Sequence, residues 1–198
     1  MYKLTHSLLE SWMRATDPEA SEEAYVSFLE ALERKPKPKT KAMQAGIDFE
    51  AEVNRWALSG HTGTEDERER KAIIQFGNRL HGAQLQVRET KPLTAGGVSF
   101  LLVGVADALQ AGIISDVKRV QRYEYGKYFA STQHPMYMEL FPEAVRFDYL
   151  IFDGTYCYRE QYRRGDFQPI QDHAAAFSRY LEAADLMDVY KNNWRVDK

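Results

Sequence analysis

"GVADALQAGIISDVKRV", residues 104–120, sets Asp107, Asp116 and Lys118 into a segment otherwise built of Val, Ile, Leu, Ala and Gly. The β-rich runs on either side of Ala111-Gly112 predict two strands joined by a tight turn. Side chains two apart in a strand share a face, so Asp116 and Lys118 point one way while Ser115 and Val117 point the other. Asp107 lies nine positions before Asp116, and pairing across the turn brings both carboxylates to one end of the sheet beside the Lys118 ammonium. Two close carboxylates repel unless a divalent cation lies between them, and hard oxygen ligands suit Mg2+ or Mn2+. The lysine then has a role: orienting or helping to deprotonate an attacking water, and stabilising charge on a phosphate being cleaved. An isolated D-x-K is more often an ordinary surface ion pair, so the rest of the chain must carry the assignment.

Working outward, "THSLLESWMRAT" (5–16) places Leu8, Leu9, Trp12 and Met13 on one helical face with Thr5 or Ser7 as cap. "PEASEEAYVSFLEALER" (18–34) predicts a second helix with Pro18 near its first turn, and "RKPKPKTK" (34–41) an extended, solvated linker. Helices follow over 41–58 and in "EDERERKAIIQFGNRL" (65–80). After Gly82 the pattern turns to strands: "AQLQVRET", then "GGVSFLLVGVADAL", then "GIISDVKRV". "STQHPMYMELF" (131–141) predicts a helix capped by Ser131 or Thr132, with Pro135 in its first turn. A hairpin at Asp153-Gly154 and one long helix over 168–190 complete a mixed sheet covered by helices.

The 198 residues, 44% of them hydrophobic, suffice for one domain with its own core. A net charge of -3 excludes an overall basic protein, though a nucleic-acid enzyme needs only a local basic surface. The lone Cys157 supports neither an intramolecular disulfide nor a four-cysteine cluster, which excludes an iron–sulfur cofactor of that kind. The N-terminus lacks a signal-peptide core, and no apolar run approaches the roughly 20 residues that span a bilayer. The expectation is a cytoplasmic protein without a membrane partner.

Four elements in order, "AGIDFEAEV" (45–53), "GVAD" (104–107), "SDVK" (115–118) and "QHPMY" (133–137), resemble the PD-(D/E)XK nuclease superfamily, in the branch of RecB-like and lambda-type exonuclease domains. The resemblance spans roughly 41–160 and implies a restriction-endonuclease-like fold, a mixed β-sheet flanked by helices, as an α/β core over 41–198. Residues 1–40, two helices and the basic Pro/Lys linker, elaborate it. By the same resemblance Glu50, Asp107, Asp116, Lys118, Gln133 and Tyr137 are the catalytic set. Glu50, Asp107 and Asp116, with the Val117 backbone carbonyl, would hold Mg2+ or Mn2+. Glu52 and Asp48 are the alternatives to Glu50. No histidine precedes Glu50 at the RecB-like spacing and His61 lies too far along, which favours the lambda-type variant; Ala106 stands where Pro is common.

"KRVQRYEYGKYFAS" (118–131) must leave the site across its rim, so Arg119, Arg122 and Lys127 are expected on phosphates and Tyr123, Tyr125 and Tyr128 on unpaired bases. Ser131, with the amides of the following helix, is expected either to bind a phosphate or simply to cap. The function expected is hydrolysis of DNA phosphodiesters by an exonuclease of phage or bacterial recombination and repair. DNA is the expected partner, with a recombination protein or self-association beside it. Alternatives are a structure-specific or restriction-like endonuclease, and an inactive nucleic-acid-binding protein on the same fold.

Overall fold

The computed structural model describes residues 1–196. The chain enters through a three-residue strand, β1 (Tyr2–Leu4), then passes through α1 (His6–Ala15), α2 (Glu22–Leu32), α3 (Lys41–Ser59) and α4 (Glu67–Arg79). Each of these helices starts where a side-chain oxygen accepts a first-turn amide: Thr5, Ser21, Thr40 and Asp66 take the N–H of Leu8, Ala24, Met43 and Glu69. Such a cap contributes about 1 kcal/mol, enough to decide a boundary. Ser21 therefore begins α2, and Pro18 lies ahead of it rather than in its first turn.

Strands β2 (Gln84–Ala95), β3 (Val98–Gln110) and β4 (Ile113–Arg119) follow, then α5 (Gln133–Leu140), β5 (Arg146–Phe152), β6 (Cys157–Arg163), α6 (Ile170–Ala183) and α7 (Met187–Trp194). The single C-terminal helix expected over 168–190 is two helices, because Asp185 turns left-handed at φ 56° and interrupts the run. The strand β1 was not expected; three residues are too few to show a period of two. The Ala111-Gly112 turn has both residues at positive φ, 49° and 75°, as a two-residue hairpin connection requires.

The sheet is mixed α/β and six-stranded, in the order β1-β3-β4-β5-β6 with β2 on β3. β2 runs antiparallel along nearly all of β3 and occupies one edge of it. The other edge is shared: β1 pairs parallel at Phe100–Leu102 and β4 antiparallel at Ala108–Gln110. Between them, residues 103–107 of that edge have no strand partner, and the chain leaves β1 into α1 beside this gap. One hydrophobic cluster, with Leu9, Phe28, Phe100, Phe147 and Phe177, joins the sheet to α1, α2, α5, α6 and α7. A second, with Phe49, Val53, Ile73, Val117 and Phe152, joins its other face to α3 and α4. No helix is long and apolar enough to cross a membrane among the described residues.

Candidate functional site

The site forms in the gap on β3. Backbone groups of Val105 that no strand satisfies are taken by Tyr137 of α5, whose hydroxyl donates to the Val105 carbonyl at 2.8 Å and accepts from its N–H at 3.3 Å. Gly104 permits this approach: a Cβ there would stand 2.7 Å from Leu140 Cδ1 and 3.2 Å from Tyr137 Cζ. Burial, then the Asp116 charge, pushes the Tyr137 phenol up to about 12, so it stays a neutral donor. Tyr137 thus positions the strand that carries Asp107.

Asp107 lies one step past the last β3–β4 pair, Ala108 with Ser115, and its Oδ2 accepts the Val117 N–H at 2.9 Å in place of a backbone bond. The two strands splay here, and Asp116 fills the opening. Asp116 is 5% exposed; Oδ1 accepts the Gln133 side-chain amide, while Lys118 Nζ stands 2.7 Å from Oδ2. Burial opposes the Lys118 ammonium, but Asp116 and Asp107 outweigh it and hold the lysine protonated above its ordinary range. Burial first, then the charges of Asp116 and Glu50, holds the Asp107 carboxyl well above the usual carboxylate range.

Glu50 reaches the cluster from the opposite helical layer. Its neighbour Phe49 is fully buried between Phe76 and Phe152, which sets the rotation of α3 and leaves Glu50 at the sheet rim. Burial raises its carboxyl, and the Gln86 amide, 2.7 Å from Oε1, works against that. The alternatives to Glu50 are engaged elsewhere: Glu52 holds Arg55, Thr62 and the Gly63 amide, and Asp48 accepts from Gln44.

All six expected catalytic residues meet in this region, but two differ in kind from the sequence reading. Gln133 is a buried donor to Asp116 rather than a rim residue, and Tyr137 serves backbone rather than substrate. Val117 contributes its amide to Asp107 and its side chain to the second cluster. Among the described residues, no three His, Cys, Asp or Glu side chains are grouped as a ready-made metal centre. Asp116 is turned toward Gln133 and Lys118, and Glu50 toward Gln86. The donor chemistry nevertheless fits a hard divalent cation: oxygen ligands only, with the Asp116 charge raising the carboxyls of both Asp107 and Glu50.

Two clefts meet over the site. One of about 770 Å3 is lined by Met43, Gly46, Glu50, Val117, Arg119 and Arg122 among others; one of about 550 Å3 by His6, Ser7, Arg14, Tyr128, Ser131 and Gln133 among others. Lys118 and Lys127 belong to both. Of the expected phosphate contacts, Arg119 is paired with Glu69 at 3.1 Å and Arg122 with Glu124 at 2.8 Å, while among the described residues Lys127 meets only the Arg122 carbonyl, at 3.4 Å. Ser131 takes the capping role and not the phosphate one: its hydroxyl accepts the Gln133 N–H at 3.1 Å and donates to Glu10 at 2.7 Å, and the same Glu10 carboxyl accepts the Thr132 N–H, so an internal side chain already occupies the start of α5; Thr132 makes no side-chain cap bond. Tyr123 and Tyr128 are likewise committed, to Glu160 and to the Tyr149 ring; only Tyr125 of the three, 91% exposed, is open for stacking.

Sequence reasoning missed His6 and Gln86. His6 lies edge-on to Tyr137 at 5.7 Å, its Nδ1 buried without a partner, and burial, then Lys118, lowers its basicity. Nothing local marks it, since it joins the site only because β1 docks on β3. Gln86 has φ 54° in mid-strand, a left-handed conformation that costs a non-glycine residue about 1–2 kcal/mol.

No family model matches the chain, and no curated protein does. Among solved structures it is similar to the crystal structure of SSO0001, with a TM-score of 0.51 at 14% identity over 99% of this chain and 80% of that one. At such identity the likeness is one of fold, a mixed sheet flanked by helices.

Proposed function

We propose that this protein is a divalent-metal-dependent DNA nuclease of the PD-(D/E)XK type, acting as an exonuclease. The observation that carries the reading is Lys118 Nζ 2.7 Å from Asp116, with Asp107 and Gln133 in the same cluster, where two clefts join. Glu50, Asp107, Asp116 and the Val117 carbonyl would hold Mg2+ or Mn2+. The bound cation would neutralise these carboxyls and lower the charge barrier to attack on a phosphodiester.

The chain's own residues supply the rest. Lys118, 2.7 Å from Asp116 and lining both clefts, would act as donor and counter-charge to a phosphate oxygen and orient the attacking water. Gln133 holds Asp116 in one rotamer, and Tyr137 holds the strand beneath Asp107. Lys127 and Arg122 line the approach, and Tyr125 offers a face to an unpaired base.

The test is digestion of end-labelled linear and of closed circular DNA with Mg2+, Mn2+ or Ca2+. Loss of linear DNA alone, with Mg2+ and Mn2+ but little with Ca2+, is the expected result. Cutting of circles would favour the endonuclease, binding without cleavage would favour the inactive alternative, and cleavage surviving exhaustive chelation would overturn the carboxylate site.

A further inference from the structure

From the inversion of β2 and β3 at the site we infer that Gln86 is a positioning residue, which fixes Glu50 for the cation through a backbone kink that no other residue of the strand shares. This rests on the nuclease reading above and extends it to a residue with no counterpart among the expected motifs.

Gln86 lies opposite Asp107 in the β2–β3 register, between the pairs Leu85–Ala108 and Val87–Ala106. Residues two apart in a strand ordinarily share a face. Here they do not. Leu85 packs with the α3–α4 cluster, whereas Val87, Leu93 and Ala95 pack with the opposite one; across the ladder Ala108 and Ala106 divide in the same way. Both strands therefore turn over at the 86–107 step, and the left-handed Gln86 accommodates the change in β2.

The turnover has two local products. The ladder is interrupted where Asp107 meets the Val117 amide, and the Gln86 side chain is sent across to Glu50 Oε1 at 2.7 Å. A side chain exposed on an edge-proximal strand has no packing reason to keep a strained backbone. Holding a carboxylate that comes from the other helical layer supplies one, as outer partners of metal ligands do elsewhere.

The experiment compares Gln86→Gly and Gln86→Ala with the parent by Mn2+ calorimetry and by thermal unfolding without metal. Both variants lose the amide, and each should bind Mn2+ about 10-fold more weakly. Glycine adopts positive φ without a steric penalty, so metal-free Gln86→Gly should unfold at or above the parental temperature, while Gln86→Ala keeps the strain and should unfold below Gln86→Gly. Weaker binding in a variant that is no less stable is a signature that a purely structural glutamine would not produce. Parental affinity in Gln86→Gly, or an affinity loss accompanied by a fall in its unfolding temperature, would overturn the inference. A parent that binds no Mn2+ would instead overturn the nuclease reading, so the two failures are told apart.

Discussion

Lys118 and Asp116 are two residues apart and share a strand face, yet the chemistry asks different things of them. Replacing Lys118 by Ala removes a positive charge beside the carboxyls, so Mn2+ should bind as well as in the parent or slightly better. The cleavage rate should nevertheless fall by at least about 100-fold, the scale of a lost charge-stabilising group, and parental rates in a steady-state assay would reduce the trio of charges to a surface cluster. Asp107 and Glu50 give a second expectation. Both carboxyls are raised, so the fold gains from their protonated forms at low pH and loses that contribution as pH climbs through the raised values. A cation must displace those protons. Mn2+ affinity should therefore rise with pH, and calorimetry in mildly acidic buffers of different ionisation enthalpy should report net proton release; none would exclude these carboxyls as ligands.

At the scale of elements, the site depends on how closely α5 lies against β3. Gly104 provides the closeness, Tyr137 satisfies the open strand edge, and Gln133, one helical turn earlier, reaches Asp116. Gly104→Ala puts a methyl group where Leu140 and Tyr137 stand, and overpacking of this kind costs typically 1–3 kcal/mol. Thermal unfolding should register that loss, and because Gln133 moves with its helix, the rate should fall too; a fully active, equally stable variant would mean that α5 is not the brace. Gln133 and Tyr137 were legible as a pair from their spacing of four. Their targets were not, because a spacing tells which side chains share a face and not what that face meets.

Over the whole molecule, the shared edge of β3 makes the candidate functional surface. β1 and β4 occupy its two ends, the gap between them admits Asp107 and Tyr137, and the two clefts converge on Lys118 and Lys127. On the nuclease reading, a chain of net charge -3 would bind DNA through such a local strip. Lys127 is the member of the expected basic trio with no acidic partner among the described ion pairs. Lys127→Ala should weaken DNA binding across sequences and reduce the slope of log affinity against log salt by about one, measured by fluorescence anisotropy. An unchanged slope would move the DNA path off this strip.

The amino-acid order alone determined whatever depends on short-range periodicity: the hairpin that brings Asp107 to Asp116, the common face of Asp116 and Lys118, the turn at Ala111-Gly112, the capped helices and a mixed sheet between helices. Tertiary structure decided which partner each polar group meets. Glu10, 121 residues away, took the Ser131 hydroxyl; Glu160 took Tyr123; His6 entered the site through β1 and Gln86 through an inverted strand step. The physical reason is the range of the forces involved. Backbone periodicity and capping act over a few residues, whereas a buried hydrogen bond is made with whichever group the packing of distant elements brings within about 3 Å.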